Sequence, residues 1–351
     1  VAEELECDWA RVRTEYPTPG QNLARKRVWG NFSTGGSRGI RDSHEYVRKG
    51  GAAARMMLVQ TAAERWNVPA AECSVVNGVV MHAATGRSAS YGTLAAAAAR
   101  RTPPTEVALK DPRAWRIAGR RKARLDTVDK TTGAQVYGMD FVLPGMLNAA
   151  IRACPVFGGT VRRVDAAAVL GRPGVRKVVR VGDAAVAVIA DTWWRARSAL
   201  EALPIEWDEG PGARASSAAF AEVLKAGLDA SDAVVGNAVG DAPAAIAAAP
   251  RRIEAVYGYP HQNHATMEPM TATARWTPER CEVWTPTQNG EAALAAAAVA
   301  SGLPIERCEV YKQMLGGGFG RRGAVHDWVR QAVVIAREMP GTPVKLIWSR
   351  E

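Results

Sequence analysis

Four glycines set around one aromatic residue, Gly316-Gly317-Gly318-Phe319-Gly320, with Arg321 and Arg322 directly behind them, constrain this chain more than any other stretch. Glycine has no Cβ and tolerates positive φ, so consecutive N–H groups can converge into a concavity that holds an anion. Two following arginines would meet its negative charge, which makes phosphate or pyrophosphate the natural guest. Taken alone, such a run equally describes a flexible turn. The flanks favour a site. Residues 308–315 alternate as a strand does, and residues 324–338 place Val325, Trp328, Val329, Ala332, Val333 and Ala336 along one face of a helix. A loop between a strand end and a helix start gains partial positive charge from the helix dipole and suits a phosphate-bearing cofactor.

The 351 residues are enough for two or three domains, and 47% apolar with 23% charged residues fits a folded globular chain. No apolar stretch reaches the roughly 18 residues of a membrane span; residues 292–300 form the longest candidate and read as a short alanine-rich helix. Cys7, Cys73, Cys154, Cys281 and Cys308 are far apart and form no CxxC pair, so neither a disulfide framework nor a zinc or iron–sulfur site is indicated. The histidines lack HExxH spacing, and no metal ligated by side chains is expected. The net charge of +10 is densest between Arg100 and Arg124, where nine Lys or Arg residues face only Glu106 and Asp111. Aromatic residues do not interleave with this cluster and no reader motif accompanies it. It therefore reads as a solvated linker or a surface for an acidic partner subunit, not as a nucleic-acid site. The chain opens on a helical pattern without an initiator Met or signal peptide and closes on a strand pattern, so a fragment lacking both ends is expected.

One arrangement recurs along the chain: a helix, a proline-marked turn, then a strand. It occurs at residues 52–75 and again at 291–310, with a shorter echo at 1–13. Residues 101–124 form the basic linker. A unit at 125–212 contains a strand near 146–151, the turn Pro173-Gly174, two valine-rich strands at 175–181 and 184–190, and a helix at 193–203. Gly210, Pro211 and Gly212 break the chain before an alanine-rich helical connection at 213–250.

Several separated segments then resemble the molybdopterin-binding large subunits of the molybdenum hydroxylases, in the branch of isoquinoline 1-oxidoreductase beta subunits and related aldehyde dehydrogenases. They are Gly35-Gly36-Ser37-Arg38, Tyr137-Gly138-Met139-Asp140, Leu143-Pro144-Gly145-Met146-Leu147 and Pro173-Gly174-Val175. Further along are His264-Ala265-Thr266-Met267-Glu268-Pro269, Trp284-Thr285-Pro286-Thr287-Gln288-Asn289, the glycine run and Trp348-Ser349-Arg350-Glu351. The resemblance implies a mixed α/β and α+β fold. Residues 1–100 would be a partial molybdopterin-binding lobe, 125–212 an α/β hammerhead domain, and 251–351 the first part of a molybdopterin-binding domain.

It also implies molybdopterin with molybdenum, with a cytosine dinucleotide form as one option. Gly316, Gly317, Gly318, Phe319, Gly320 and Arg321 would approach the cofactor largely through main-chain amides. Gln288 would hydrogen-bond an oxo ligand of the metal, and Thr34, Gly35, Gly36 and Ser37 would hold the pterin and its phosphate or nucleotide tail. A metal carried by a dithiolene needs no protein ligand. The implied reaction is oxidative hydroxylation of an N-heterocycle or aldehyde with water as oxygen source. Electrons would leave through an iron–sulfur partner subunit, and a cytochrome is a further candidate acceptor. Relatives work in the bacterial periplasm or cytoplasm.

Two departures matter. Xanthine dehydrogenases continue the loop with Gly-Lys-Glu, the glutamate facing substrate, where this chain has Arg321, Arg322 and Gly323; purine recognition is not expected. The family's general-base glutamate would lie beyond Glu351, so a catalytically silent scaffold that binds cofactor or partner is an alternative. His264 and Glu268, spaced i, i+4, are substrate-pocket candidates, although Pro269 follows directly and a loop packed around the cofactor pocket is an equal reading. Gly318-Phe319-Gly320-Arg321-Arg322-Gly323 also satisfies GxGxxG, which makes an NAD(P)-binding dehydrogenase the remaining rival, with Glu351 as its distant acidic residue.

Overall fold

The computed structural model describes residues 1–350, so the expectation placed on Glu351 lies outside them. The chain divides into two compact units. One comprises Val1–Phe141 with Glu279–Asp327, and the other Val142–Pro278 with the residues from Trp328 onward. Both mix helices with sheet.

In the first unit the helix His44–Trp66 stops where Asn67 turns left-handed, at φ 55°. Pro69 then opens the tight turn Ala70–Glu72, whose last residue leads into the strand Cys73–Val76. This strand forms an antiparallel sheet with Val79–His82 and Arg87–Ser90, and the helix Tyr91–Ala98 follows. Leu58, Ala62, Val75, Val80, Leu94 and Ala98 form the core beneath. The same order of events recurs later. The helix Gly290–Ser301 ends on left-handed Gly302, Pro304 opens the turn Ile305–Arg307, and the strand Cys308–Gln313 begins. In both copies the cysteine that starts the strand sets its thiol against the carbonyl of the proline four residues earlier, at 3.9 Å for Cys73 and 3.5 Å for Cys308. The echo at the N-terminus has the short helix Ala2–Leu5 and the turn Trp9–Arg11, but the expected strand does not form after it.

The basic stretch 101–124 is tethered by acidic residues at the start of the chain. One carboxylate oxygen of buried Glu3 accepts the consecutive N–H groups of Arg116, Ile117 and Ala118 at 2.6 to 3.0 Å, and the other takes the Lys110 ammonium at 2.7 Å. Fully buried Glu4 accepts the Lys110 N–H and pairs with Arg48 at 2.8 Å. Burial raises the Glu3 carboxyl, but donation from Lys110 and from the main chain of Ile117, Ala118 and Arg116 outweighs it and holds the group down at about 2. Part of the positive charge that reads as a solvated linker is thus spent inside the protein.

In the second unit five strands are hydrogen-bonded neighbours in the order Thr271–Trp276, Val344–Ile347, Leu147–Ala153, Ala185–Ala190, Val175–Val181. Ala185–Ala190 is buried at every position, which explains an unbroken Ala-Val-Ala-Val-Ile-Ala run where a half-exposed strand would alternate. The helix Trp193–Ala202, capped by the Thr192 hydroxyl, buries Ala196, Ala199 and Leu200 into the same core. Thr160–Val164 pairs with Ile205–Asp208 as a separate ribbon. The alanine-rich connection contains the helices Ser217–Ala226 and Ala242–Ala248. Among the described residues no helix is long and apolar enough to cross a membrane.

Candidate functional site

The strands Cys281–Pro286 and Cys308–Gln313 run parallel, Cys281 beside Cys308 and Pro286 beside Gln313. Parallel pairing delivers both C-terminal ends to one place, where Thr287-Gln288-Asn289 meets the glycine loop. Asn289 then caps the helix Gly290–Ser301 by accepting the Ala292 N–H at 3.1 Å. Gln288 is therefore fixed at a strand-to-helix junction. Its main-chain N–H donates to the Arg322 carbonyl at 3.0 Å, and its carbonyl accepts from Thr34 N–H at 2.7 Å. Its side-chain oxygen accepts the Gly320 N–H at 3.0 Å, and its side-chain nitrogen donates to the Thr34 carbonyl at 3.2 Å. A bridge between Ser33 and Asn289 completes the junction. Three segments far apart in sequence, 33–37, 287–289 and 316–322, thus converge on one glutamine within one compact unit.

The glycines answer to steric demands. A Cβ on Gly318 would lie 2.6 Å from the Gln288 side-chain oxygen, so no other residue fits there without displacing that amide. Gly317 and Gly320 have φ of 108° and 94°, and Phe319 between them is left-handed at 52° and 74% exposed. Strain of this kind in a non-glycine residue persists where surrounding structure imposes it, and it concentrates at ligand sites. Gly35 and Gly36 have open space beside them, so their main chain is approachable. A cavity of about 260 Å³, bounded by Gly30, Asn31, Ser33, Arg38, Asp42 and Tyr46, adjoins this segment. Bare, approachable main chain around an amide side chain fits a large ligand held through hydrogen bonds, such as a pterin cofactor that carries its own metal.

Both arginines have partners within the chain that the sequence did not reveal. The Arg321 guanidinium donates to both carboxylate oxygens of Asp327, at 2.8 and 2.9 Å, within its own turn. Arg322 is fully buried, and its Nε donates to the Gly317 carbonyl at 2.9 Å. The helix starts at Asp327 instead of residue 324, because the intervening residues bring His326 back to Thr287. With the helix so displaced from the glycines, the loop lacks the geometry of a dinucleotide fingerprint, in which the helix opens within the motif. His264 and Glu268 belong to the second unit and lie on irregular chain, His264 exposed and Glu268 buried. Thr266 between them donates to the Glu268 carbonyl at 2.7 Å, and no helix aligns the pair.

Sequence reasoning passed over Thr287 and His326. The Thr287 hydroxyl, fully buried, accepts the Asn289 N–H at 2.9 Å, meets His326 Nε2 at 2.8 Å and the Arg322 carbonyl at 3.3 Å. The available signal was polar Thr285 and Thr287 at a strand end that the rest of the pattern buries.

Comparison with known proteins bears on the site. A model of the molybdopterin cofactor-binding domain matches residues 229–351. The beta subunit of isoquinoline 1-oxidoreductase from Brevundimonas diminuta is 31% identical over 398 residues, covering all of this chain and 50% of that protein. A membrane-bound aldehyde dehydrogenase of Gluconacetobacter polyoxogenes, whose name carries pyrroloquinoline quinone, is 27% identical over 371 residues, covering all of this chain and 46% of that protein. The chain thus spans about half the length of these relatives. The crystal structure of quinoline 2-oxidoreductase from Pseudomonas putida 86 superposes with a TM-score of 0.51 at 21% identity, over 65% of this chain and 34% of that one, and supports the mixed α/β fold.

Proposed function

Because this chain belongs to the molybdopterin-binding large subunits of the molybdenum hydroxylase family, we propose that the junction at Gln288 holds the molybdenum cofactor. The protein would serve oxidative hydroxylation of an N-heterocycle or an aldehyde, with water as the oxygen source. The carrying observation is the lack of room for a side chain at Gly318: a Cβ there would lie 2.6 Å from the Gln288 side-chain oxygen, on the amide that Thr34 and Gly320 hold in place. When bound, the cofactor supplies the redox centre of the reaction.

The residues of this chain bind and orient. Gly316, Gly317, Gly318, Phe319 and Gly320 present main chain to the pterin-held metal, and Gln288 directs its amide there. Thr34, Gly35, Gly36 and Ser37 hold the pterin end, with the adjoining cavity beside Arg38 receiving the phosphate or a cytosine dinucleotide tail. Arg321 acts through the loop, since Asp327 engages its charge. His264 and Glu268 are proposed as substrate-pocket residues, and residues 125–212 as the hammerhead domain. An iron–sulfur subunit is the proposed route by which electrons leave, with a cytochrome as a further candidate acceptor.

Gly318→Val tests the reading, with Gly50→Ala as its control, because a Cβ at Gly50 meets nothing within 4 Å. Molybdenum content of the purified protein should fall at least about tenfold in the first variant and stay unchanged in the second, as expected where backbone meets ligand directly. Equal loading of both variants would overturn it.

A further inference from the structure

The Thr287 hydroxyl has one hydrogen to give and two lone pairs to fill. Three partners surround it: the Asn289 N–H at 2.9 Å, His326 Nε2 at 2.8 Å and the Arg322 carbonyl at 3.3 Å. The Asn289 N–H can only donate and the carbonyl can only accept. All three partners are satisfied together when the hydroxyl donates to Arg322 and His326 presents a protonated Nε2. The hydroxyl is then saturated, in a place where none of these groups can turn to water, since Thr287 and Arg322 are fully buried and His326 nearly so.

What this cluster holds is specific. The same Arg322 carbonyl that takes the hydroxyl also accepts the Gln288 N–H, and the Arg322 Nε grips the Gly317 carbonyl. Gly317 precedes Gly318, where a Cβ would strike the Gln288 amide, and Gly320 donates to that amide's oxygen. The hydroxyl therefore lies under both components of the junction, the glutamine on one side and the glycine loop on the other.

We propose that Thr287 is a positioning residue. Its hydroxyl, through Arg322 and His326, sets the angle at which Gln288 faces the cofactor, without itself touching cofactor or substrate. This rests on the reading of Gln288 given above. Thr287→Val keeps the shape of the side chain and removes its hydrogen bonds, whereas Thr287→Ser keeps the hydroxyl and removes only a methyl group.

The experiment compares these two variants with the natural protein, isolated with molybdenum. Each is measured for metal and pterin content, for kcat and KM separately, for the EPR spectrum of the reduced metal, and for amide exchange at residues 288 and 320. Thr287→Val should retain metal within about twofold and leave KM nearly unchanged. Its kcat should fall at least about tenfold, with an altered EPR spectrum and faster exchange at the two amides, as for a lost orienting contact. Thr287→Ser should restore all of these. The proposal is overturned if Val and Ser variants behave alike, whether both match the natural protein or both lose metal. If the natural protein itself contains no molybdenum, the reading of Gln288 falls, and this inference falls with it; metal present with an indifferent Val variant overturns the inference alone.

Discussion

Phe319 occupies a left-handed backbone position that costs a non-glycine residue on the order of 1 kcal/mol, and its exposed ring recovers little of that through burial. Phe319→Gly is accordingly expected to raise the free energy of unfolding by about 1 kcal/mol in urea titration. A loss of stability of the same size would show that the ring packs where the account leaves it free. The sequence made the glycines legible because their requirement is local. The partners of the arginines within the chain were not legible, because a cationic side chain beside glycines reads as a ligand contact and full burial of arginine is rare. Only the folded chain gives Arg321 to Asp327 and Arg322 to Gly317.

At the scale of elements, the helix–turn–strand module repeats in detail, from the left-handed helix ends at Asn67 and Gly302 to the prolines and the cysteines four residues beyond them. Proline and glycine act over a few residues, so this was readable. The tether of residues 110–118 was not, because its anchors Glu3 and Glu4 lie more than 100 residues away. The Glu3 carboxyl is lowered from 4.5 to about 2, so its contribution is fully present above 4.5 and is lost as pH falls through about 2. Hydrogen exchange of the amides of Arg116, Ile117 and Ala118 should therefore gain an acid-labile phase in that window, and Glu3→Gln should expose them already at neutral pH. Protection unchanged in the variant would contradict the tether. In the helix Asp327–Arg337, Trp328 is fully buried, and Trp328→Ala should cost about 3 to 5 kcal/mol in thermal or denaturant unfolding.

For the whole molecule, single helices and strands were readable from patterns that each carries alone, whereas the mixed α/β class came from the likeness to a family and agrees with the sheets and helices observed. The site did not follow from such patterns either. Segment 33–37 reaches Gln288 across some 250 residues of chain, and no periodicity encodes that meeting; likeness to a family did. His264 and Glu268 show the converse, since a helical spacing means nothing where no helix forms. The central claim is that main chain around Phe319, steered by Gln288, seats a pterin that carries molybdenum. Its most direct test is the content of molybdenum and pterin, by elemental analysis and pterin fluorescence, in the purified protein. The account predicts about one molybdenum and one pterin per chain. Protein that is folded and active yet free of both, or that carries a nicotinamide or quinone cofactor in their place, would contradict it.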